Sequence, residues 1–464
     1  MSELAAEPGS GADLHLEVRG PRVLAGLKEA LREAVRSGRL TPGARLPSTR
    51  SLAADLGIAR NTVVAAYAEL VAEGWLSSRQ GAATRVATAH GAAPPDRACA
   101  DPDPARPLHD LRPGTPDVAA FPRAEWLRAA RRVFDRAPDR AFSYPDVRGT
   151  EELRTALAAY LARARGVRTD PERIVVCAGA AHGLRLLATA LRARGTDSVF
   201  TEGYGLDLHR RLLTESGLRT PCLPMDGHGA RTDLLAQTSG AGAVVLTPAH
   251  QFPSGEVLSG DRRAAVIRWA RNTGAVVVED DYDGEFRYEN PPVGSLQALD
   301  PGHVAYLGTA SKSLAPGLRL GWLVVPEILA DQLSRALGEF GMCGTLDQLV
   351  LAELLGSGAY DRHVRAMRAR YRRRREQLSE MLAGRARSRL SGASAGLHAI
   401  VNVPSGCEAA IIGAAEADGL ALCGISRFRH PRGQDDRDAI VVGYATPSAS
   451  AWAGALAALE AVLP

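Results

Sequence analysis

Lysine is almost absent from this chain. Of its 56 basic residues only two, Lys28 and Lys312, are lysines. Arginine can replace lysine at most surface positions, but its guanidinium stays protonated and cannot supply the primary amine that a Schiff base requires. A lysine that is kept against such a bias is therefore a candidate for chemistry that arginine cannot perform.

The chain is also poor in cysteine and has no long apolar run. Its six cysteines are widely spaced and form no C-x-x-C pair, which argues against a zinc ribbon or a disulfide framework and favours reduced thiols. No apolar stretch approaches the roughly 20 residues of a membrane span. The N-terminus has neither the basic nor the apolar region of a signal peptide. We therefore expect a cytoplasmic protein that has no membrane contact and no metal site.

Charge is unevenly distributed along the chain. Between Val18 and His90, eleven basic residues stand against five acidic ones, a net charge of +6, whereas the whole chain carries only +4. A small basic segment joined to a nearly neutral remainder predicts that this segment alone meets a polyanion.

The basic segment has the pattern of a small helical domain. Residues 1–17 are expected to be a disordered lead, and 18–87 a winged helix-turn-helix domain, because helix, helix, turn, helix and hairpin is the order of that motif. Ser48 is a plausible N-cap for the second helix. The predicted helices are Leu24–Arg36, Thr49–Asp55 and about Ala59–Glu73, and the predicted strands are Trp75–Leu76 and Ala83–Val86.

The rest of the chain predicts a linker and an α/β body. Residues 88–118 lack periodicity and are rich in Ala, Pro, Asp and Gly, so we expect a semi-extended linker. From 119 to 464, β-branched runs alternate with helical segments, which predicts a mostly parallel sheet with helices on both faces. The large part covers about 140–350. A basic helix over Arg365–Leu382 leads into a smaller α+β part, about 351–464.

The small domain carries a family resemblance in residues 46–76. The run L-P-S-T-R-S-L-A-A-D-L-G-I-A-R-N-T-V-V-A-A-Y-A-E-L-V-A-E-G-W-L resembles the GntR family of bacterial regulators, which implies operator DNA as the partner. The third helix would enter the major groove with its first residues at the base edges. Arg60 and Asn61 are residue types that make bidentate contacts with guanine and adenine. Arg50 and Thr62 would reach phosphates or neighbouring bases. The expected wing tip is formed by Arg79, Gln80 and Gly81.

Lys312 lies in a second recognisable motif. Y-L-G-T-A-S-K-S-L-A-P-G-L-R-L-G-W (306–322) resembles the lysine signature of fold-type I aminotransferases, which use pyridoxal 5'-phosphate. The resemblance implies that Lys312 anchors the cofactor aldehyde as a Schiff base. It also implies that Thr309, Ser311 and Arg319 hold the phosphate, a dianion that suits hydroxyls and a guanidinium.

The acidic run V-V-V-E-D-D-Y-D (276–283) matches the same family about thirty residues before the lysine. It implies that Asp280 pairs with the pyridine nitrogen and that Tyr282 donates to the ring oxygen. The neighbouring Asp281 leaves the choice between the two carboxylates open.

Three further segments complete the implied cofactor site. C-A-G-A-A-H-G-L (177–184) is a strand-to-helix turn, and its backbone N–H groups at Gly179, Ala180 and Ala181 would favour a phosphate. Tyr204 is the expected ring stacker. Tyr144 resembles the tyrosine that reaches the phosphate of the partner subunit, which would make the site complete only in a dimer.

The two halves in this order resemble the MocR (GabR-like) subfamily of GntR regulators over nearly the whole chain. Further shared phrases are D-L-R-P-G-T-P-D (110–117), T-P-A-H-Q-F-P-S-G (247–255) and Y-D-R-H-V-R-A-M-R-A-R-Y-R-R-R-R (360–375). The resemblance implies a homodimeric transcription regulator that binds pyridoxal phosphate and has no catalytic residues; a head-to-tail, domain-swapped dimer is one arrangement. The alternatives are an active aminotransferase with an accessory DNA-binding head, and a DNA-binding module on a cofactor-free scaffold.

The chain departs from the enzymes where a substrate would bind. Phe252 stands in place of the asparagine that contacts the ring oxygen, and Val441 stands about where a substrate-carboxylate arginine falls. Leu206 occupies the position at which GABA-responsive members have an arginine, which argues against GABA as effector. The loop residues that could replace the missing arginine are Arg427, Arg429, Arg432 and Arg437. This lack favours pyridoxal phosphate itself as the signal, and an amine or amino acid is the alternative effector.

Overall fold

The structure is a computed structural model, and it describes residues 16, 22–78, 83–87, 107–238, 242–288, 293–338 and 341–464. The chain divides into two compact units, Met1–Arg106 and Pro107–Pro464, called here the head and the body. Within the described part of the chain, no helix combines the length and the apolar character needed to cross a bilayer.

The head has the predicted element order. Its elements are α1 (Val23–Arg36), α2 (Thr49–Leu56), α3 (Arg60–Ala72), β1 (Leu76–Ser77) and β2 (Arg85–Val86). Ser48 caps α2 by accepting a hydrogen bond from the N–H of Ser51 at 3.1 Å, and Gly57 ends it in a left-handed conformation. Leu16, which falls in the predicted disordered lead, is buried in the apolar core that the head helices share. The predicted wing tip (79–81) lies outside the described residues.

Most acids in the described part of the head pair with basic residues of α1. Lys28 forms ion pairs with Glu69 of α3 and with Glu73, the residue after that helix, and Arg32 Nη2 lies 2.6 Å from Glu73. Arg36 pairs with Glu29 at 2.9 Å. The positive charge of α1 is therefore largely neutralised within the head. Lys28 serves in an ion pair that an arginine could also form.

The body contains the remaining helices and strands. The helices are α4 (Arg123–Arg136), α5 (Glu151–Arg165), α6 (Ala180–Ala193), α7 (Asp207–Glu215), α8 (Gly260–Thr273), α9 (Ala330–Ala336), α10 (Thr345–Gly356), α11 (Ala359–Leu382), α12 (Glu408–Ala417) and α13 (Trp452–Val462). The strands are β3 (His109–Asp110), β4 (Ile174–Cys177), β5 (Val199–Glu202), β6 (Cys222–Leu223), β7 (Met225–Asp226), β8 (Gly229–Ala230), β9 (Ala243–Leu246), β10 (Val276–Asp280), β11 (Val304–Thr309), β12 (Gly321–Val324), β13 (Arg389–Ser391), β14 (Ala399–Asn402), β15 (Leu420–Ala421), β16 (Cys423–Gly424) and β17 (Ala439–Val442).

A seven-stranded sheet forms the centre of the body. Its strand order is β4-β12-β11-β10-β9-β5-β6, and only β12 runs antiparallel to its neighbours. Along β4, Ile174 and Val176 pack with α5 and α10, whereas Val175 and Cys177 face α6. Strand side chains alternate between the two faces, so this pattern buries both faces under helices. The predicted mostly parallel sheet with helices on both faces is confirmed.

A smaller antiparallel sheet, β13-β14-β17-β16, packs with α11, α12 and α13 at the C-terminal end of the chain. Helix α11 begins at Ala359, six residues before the predicted start. Residues 107–118 also belong to the body, although the predicted linker included them. Strand β3 pairs with β15, and Leu111 is fully buried in the core of the small sheet. The segment differs from the expected linker because the buried side chain of Leu111 fixes it to the body. The composition of the segment as a whole does not reveal this single apolar contact.

Candidate functional site

The carboxyl ends of the central strands surround one cavity of about 310 Å³. Ligands in open α/β sheets bind at this edge because the loops and helix N-termini that follow the strands converge there. The cavity walls come from the segments after β4, β5, β9, β10 and β11. The side chains predicted from sequence that line it are Ala180, Ala181, Tyr204, Asp280, Tyr282, Thr309, Ser311, Lys312 and Arg319.

Lys312 follows β11 and points into this cavity. Its Nζ donates a hydrogen bond to the carbonyl oxygen of Gly114. Burial lowers the pKa of Lys312, and the carboxylates of Asp280 and Asp283 oppose that effect. A lowered pKa increases the fraction of the neutral amine, which is the nucleophilic form. The position thus suits covalent chemistry better than a surface lysine would.

The two adjacent aspartates at the end of β10 have different surroundings. Asp280 lines the cavity, and its buried Oδ1 has no hydrogen-bond partner among the described residues. Burial and the nearby Asp281 raise the pKa of Asp280 to about 7. Asp281 instead accepts bonds from Arg165 at 2.6 and 3.0 Å and from the Tyr306 hydroxyl at 2.7 Å. Of the two carboxylates, only Asp280 is free to meet a ligand.

The hydroxyl of Tyr282 lies beside a buried histidine–aspartate pair. His250 Nδ1 is 2.9 Å from Asp283 Oδ2 and 3.2 Å from Tyr282 Oη. Because a carboxylate only accepts hydrogen bonds, we assign the Nδ1 proton to His250. The single Nδ1 hydrogen is thus directed to Asp283 and reaches the Tyr282 hydroxyl only as a second, longer contact. Burial and the neighbouring Asp283 raise the pKa of Tyr282, and this side chain lines the cavity. His398 joins this cluster, whose potential metal-ligating atoms lie within 4.8 Å of one another. Its Nε2 donates to Pro253 O at 3.0 Å.

The opposite end of the cavity offers donors for an anion. Thr309 Oγ1 accepts from the N–H of Ser311 at 3.1 Å, which holds both hydroxyls together. Gly179 precedes the uncapped N-terminus of α6 with φ +81, and a Cβ there would lie 3.1 Å from Nη1 of Arg319. Arg319 itself has a left-handed backbone and donates to Ala178 O. A guanidinium, two hydroxyls and the positive end of a helix therefore converge at this end.

Aromatic residues form the remaining wall. Tyr204 is buried, and the guanidinium of Arg437 lies over its ring at 5.1 Å from the centroid. Phe252 makes edge-on contacts with Tyr282 at 6.0 Å and with Phe428 at 5.0 Å. Val441 is fully buried in the same apolar cluster. Phe252 therefore presents an apolar surface to the cavity where an aminotransferase would present an asparagine, and Val441, at the position of the expected arginine, is buried outside the cavity lining.

Other predicted residues lie away from the cavity. Tyr144 is 84% exposed and does not line it. Within the described body, none of the four loop arginines proposed from sequence (Arg427, Arg429, Arg432, Arg437) lines it either. Leu206 does line the cavity, but without charge. The cavity formed by one chain therefore lacks the tyrosine side chain that we expected the partner subunit to supply.

The structure brings several unpredicted residues into the cavity wall. Gly114 and Thr115 come from the segment that was expected to be linker. Glu202 accepts from the hydroxyl of Thr247 at 2.6 Å, and burial raises its pKa to about 7. His209 and Arg210 come from the first turn of α7. Gly114 and Thr115 could have been found from the sequence, because they belong to the phrase 110–117 that is shared with the regulators. Glu202, His209 and Arg210 carried no such signal.

On the head, the candidate DNA-contacting residues lie at the start of α3. Arg60 is its first residue, and Arg60 and Asn61 are both exposed, as is Arg50 in α2. Thr62 is half-buried. In the described part of the head, neither Arg50 nor Arg60 shows an ion pair, in contrast to the basic residues of α1. Arg50 on α2 and Arg60 at the N-terminus of α3 therefore carry positive charge that no acidic residue of the described head neutralises.

Comparisons with known proteins agree with both halves. Residues 25–86 match the family model "Bacterial regulatory proteins, gntR family", and residues 111–405 match "Aminotransferase class I and II". The body is similar in structure to an archaeal alanine:glyoxylate aminotransferase, with a TM-score of 0.68 and 26% identity over 77% of this chain and 90% of that one.

Among curated proteins, two regulators illustrate the similarity over the full architecture. The HTH-type pyridoxine biosynthesis transcriptional regulator PdxR of Corynebacterium glutamicum is 35% identical, over 81% of this chain and 82% of its own length. The probable rhizopine catabolism regulatory protein MocR of Rhizobium meliloti is 34% identical, over 75% of each. The chain therefore belongs to the GntR-family transcriptional regulators whose winged helix-turn-helix head is fused to an aminotransferase-like body.

Proposed function

We propose that this regulator binds pyridoxal phosphate in the body cavity, covalently through Lys312, and that occupancy of the cavity alters how its heads bind operator DNA. The observation that carries the proposal is the unpartnered carboxylate of Asp280 opposite a buried lysine. A buried polar atom without a partner costs free energy, and a protonated ring nitrogen would supply the missing donor to Asp280 Oδ1.

The other cavity residues fit the remaining parts of the cofactor. Arg319, Thr309, Ser311 and the N-terminus of α6 suit a phosphate, and the hydroxyl of Tyr282, on the cavity wall, would donate to a ring oxygen. When bound, pyridoxal phosphate supplies an aldehyde that a primary amine can capture and a ring that withdraws electrons. Lys312 supplies that amine, and Asp280 keeps the ring nitrogen protonated. Tyr204 would pack against the ring on the side that Arg437 does not cover.

In the head, Arg60 and Asn61 would read base edges in the major groove, while Arg50 and Thr62 would hold the DNA backbone. Two heads are needed to read two half-sites, so the functional unit is a homodimer. The 84% exposed Tyr144 supports this assembly, because a tyrosine that serves the partner's cavity must lie outside its own. Binding of a ligand can shift DNA affinity only if it favours one arrangement of the dimer over another.

The second candidate is an active aminotransferase, which the intact set of Lys312, Asp280 and Tyr282 favours. Phe252 on the cavity wall and Val441 on β17 favour the regulator, because neither offers the polar or charged group that an aminotransferase has at that position. Turnover separates the two candidates. Wild-type protein mixed with amino acids and 2-oxo acids is expected to show no sustained transamination, and turnover near ~10 per second, a typical enzymatic rate, would establish the enzyme.

The cofactor proposal is tested by absorbance spectroscopy of the purified chain with added pyridoxal phosphate. Wild-type protein is expected to acquire a visible band that survives gel filtration. Lys312→Ala is expected to lose the band, while Lys28→Arg keeps it. A band of equal strength and stability in Lys312→Ala would rule out covalent attachment at this residue.

A further inference from the structure

Arg210 is a buried arginine without a dedicated acidic partner. It is only 7% exposed, and its Nη1 donates to Gly205 O at 3.2 Å. Its Nη2 lies at 3.5 Å from Asp207 Oδ1, a long contact. The buried Nε has no acceptor among the residues that the structure describes. Burial lowers the pKa of the guanidinium, and Asp207 offsets this only in part.

Asp207 is a poor counter-ion for Arg210. Its side chain is exposed, and its other carboxylate oxygen lies 3.0 Å from Nε of Arg211. An exposed carboxylate that is shared between two arginines compensates a buried charge weakly, because water screens it. A buried cation that is left unpaired is costly to the folded protein. Arg210 therefore has the surroundings of a residue whose anionic partner is supplied from outside the chain.

The position of Arg210 in α7 strengthens this reading. Arg210 lies in the first turn of the helix, where the positive end of the helix dipole disfavours a cation and favours an anion. The N-cap residue, Leu206, offers no side-chain acceptor, so the first N–H groups of α7 have no cap within the described structure. Gly205, Leu206, Leu208 and Arg210 all line the cavity.

Arg210 is also separate from the groups that suit the cofactor. Only two arginines, Arg210 and Arg319, line the cavity in the described body, and Arg319 donates a hydrogen bond to Ala178 O at the end that suits a phosphate. The residue adjacent to Arg210, His209, lies with Nδ1 at 3.8 Å from Asp280 Oδ2. Arg210 thus lines the same cavity as Asp280, and it also borders an outer cleft with Asp207 and Arg211.

We propose that Arg210 and the N-terminus of α7 bind the anionic group of an amine effector, so that the cavity selects amino acids over simple amines. The inference rests on the proposed function, because the amine would meet the cofactor in this cavity. Arg210 would supply the positive charge that is missing at Val441 on β17, the position where an aminotransferase has its carboxylate-binding arginine. A planar guanidinium on the cavity wall suits a carboxylate or another oxyanion. A carboxylate-binding Arg210 would favour an amino acid, rather than pyridoxal phosphate alone, as the effector.

The test compares three amines, L-alanine, β-alanine and ethylamine, which share the ethylamine unit. L-alanine and β-alanine each become ethylamine when the carboxylate is removed, so the comparison isolates that group. Each probe is titrated into the cofactor-loaded wild-type chain while the visible spectrum is recorded. We expect at least one amino acid to bind about 10- to 100-fold more tightly than ethylamine, the range of a hydrogen-bonded ion pair.

Arg210→Gln is expected to bring that ratio close to 1 while leaving the affinity for ethylamine unchanged. The matched control is Arg211→Gln, which removes a neighbouring arginine that is exposed and does not line the cavity; it is expected to keep the wild-type ratio. A ratio that survives in Arg210→Gln, or a wild-type chain that does not distinguish the amino acids from ethylamine, overturns the proposal.

A second measurement needs neither cofactor nor amine. Acetate is expected to raise the thermal midpoint of the cofactor-free wild-type chain relative to chloride at equal ionic strength, and to lose this effect in Arg210→Gln and Arg210→Met. Without acetate, both variants are expected to melt no lower than wild type, because they remove an unpaired buried charge. A lower midpoint in both variants would mean that Arg210 is structural. If the visible band is absent from wild type, the cofactor proposal fails, and the acetate measurement still decides the role of Arg210.

Discussion

Asp280 is expected to destabilise the cofactor-free chain increasingly as the pH rises above about 4, so its removal should stabilise the chain at neutral and higher pH. The ordinary pKa of the carboxyl is 3.8, and the folded body raises it to about 7. Between these values the folded chain holds a proton that the unfolded chain has released, so stability falls as the pH rises from about 4 to about 7. The full cost above pH 7 is roughly 4 kcal/mol, since one pKa unit corresponds to ~1.4 kcal/mol.

Asp280→Asn removes this charge with little change in shape. The free energy of unfolding of the cofactor-free variant is expected to exceed that of wild type by up to about 4 kcal/mol at pH 8 and by less than half of that at pH 5. Loss of the attraction between Asp280 and Lys312 makes these values upper limits. Urea denaturation at the two pH values measures the difference. The same variant is expected to bind pyridoxal phosphate more weakly, since the ring nitrogen loses its partner.

The neighbouring Asp281 provides a control of opposite sign. Asp281→Asn leaves Arg165, which is buried and bonded to both oxygens of Asp281, without its counter-charge. Breaking a buried ion pair from one side typically costs about 3–5 kcal/mol. Asp281→Asn is therefore expected to destabilise the chain at both pH values. If Asp280→Asn also destabilised it at pH 8, or changed stability equally at pH 5 and pH 8, the electrostatic reasoning about this site would be wrong.

Three other predictions concern the head and the cofactor pocket. Arg60→Ala should weaken binding to operator DNA by about 1–3 kcal/mol and relax the base preference at one position. Fluorescence anisotropy with single-base variants of the operator measures both effects. The control variant Lys28→Arg should bind as wild type. Asp283→Leu and Tyr282→Phe should each raise the dissociation constant for pyridoxal phosphate about 5- to 10-fold, through loss of one hydrogen bond, and the double variant should lose no more than either. Ser48→Ala should cost about 1 kcal/mol in the head, seen as roughly fivefold faster hydrogen exchange of the α2 amides.

Each of these predictions has an outcome that contradicts it. A uniform loss of affinity for all operator variants would assign Arg60 to the phosphates instead of a base. Additive losses in the double variant would mean that Asp283 does not act through Tyr282. For the helix cap, Ser51→Ala is the control, because Ser51 donates only through its backbone N–H. Equal exchange rates in Ser48→Ala and Ser51→Ala would remove the capping role.

The sequence predicted the parts of the structure that depend on local pattern. The order of the head helices follows from apolar spacing and from the cap at Ser48, and the residues from Thr309 to Arg319 form one short motif. Asp280, Tyr282 and Lys312 could be expected together because they follow neighbouring parallel strands, whose carboxyl ends meet at one edge of a sheet. The structure brings all three to the same cavity.

What the sequence could not predict depends on contacts between distant segments. Asp280 and Asp281 are equivalent in the linear motif, and only the position of Arg165 on α5 shows which one is already paired. Gly114 reaches Lys312 because β3 is held by β15, more than 300 residues later in the chain. Arg210 looks like any other arginine in an arginine-rich chain until its burial and its missing acceptor are known.

The central claim is that a ligand held at Lys312 changes how the head binds DNA. The most direct test is footprinting of the intergenic DNA upstream of the protein's own gene, with and without pyridoxal phosphate, for wild type, Lys312→Ala and Lys28→Arg. Wild type and Lys28→Arg are expected to give a footprint whose extent or midpoint changes with the cofactor, and Lys312→Ala a footprint that does not respond. A footprint that responds equally in Lys312→Ala, or that never responds in wild type, would contradict the account.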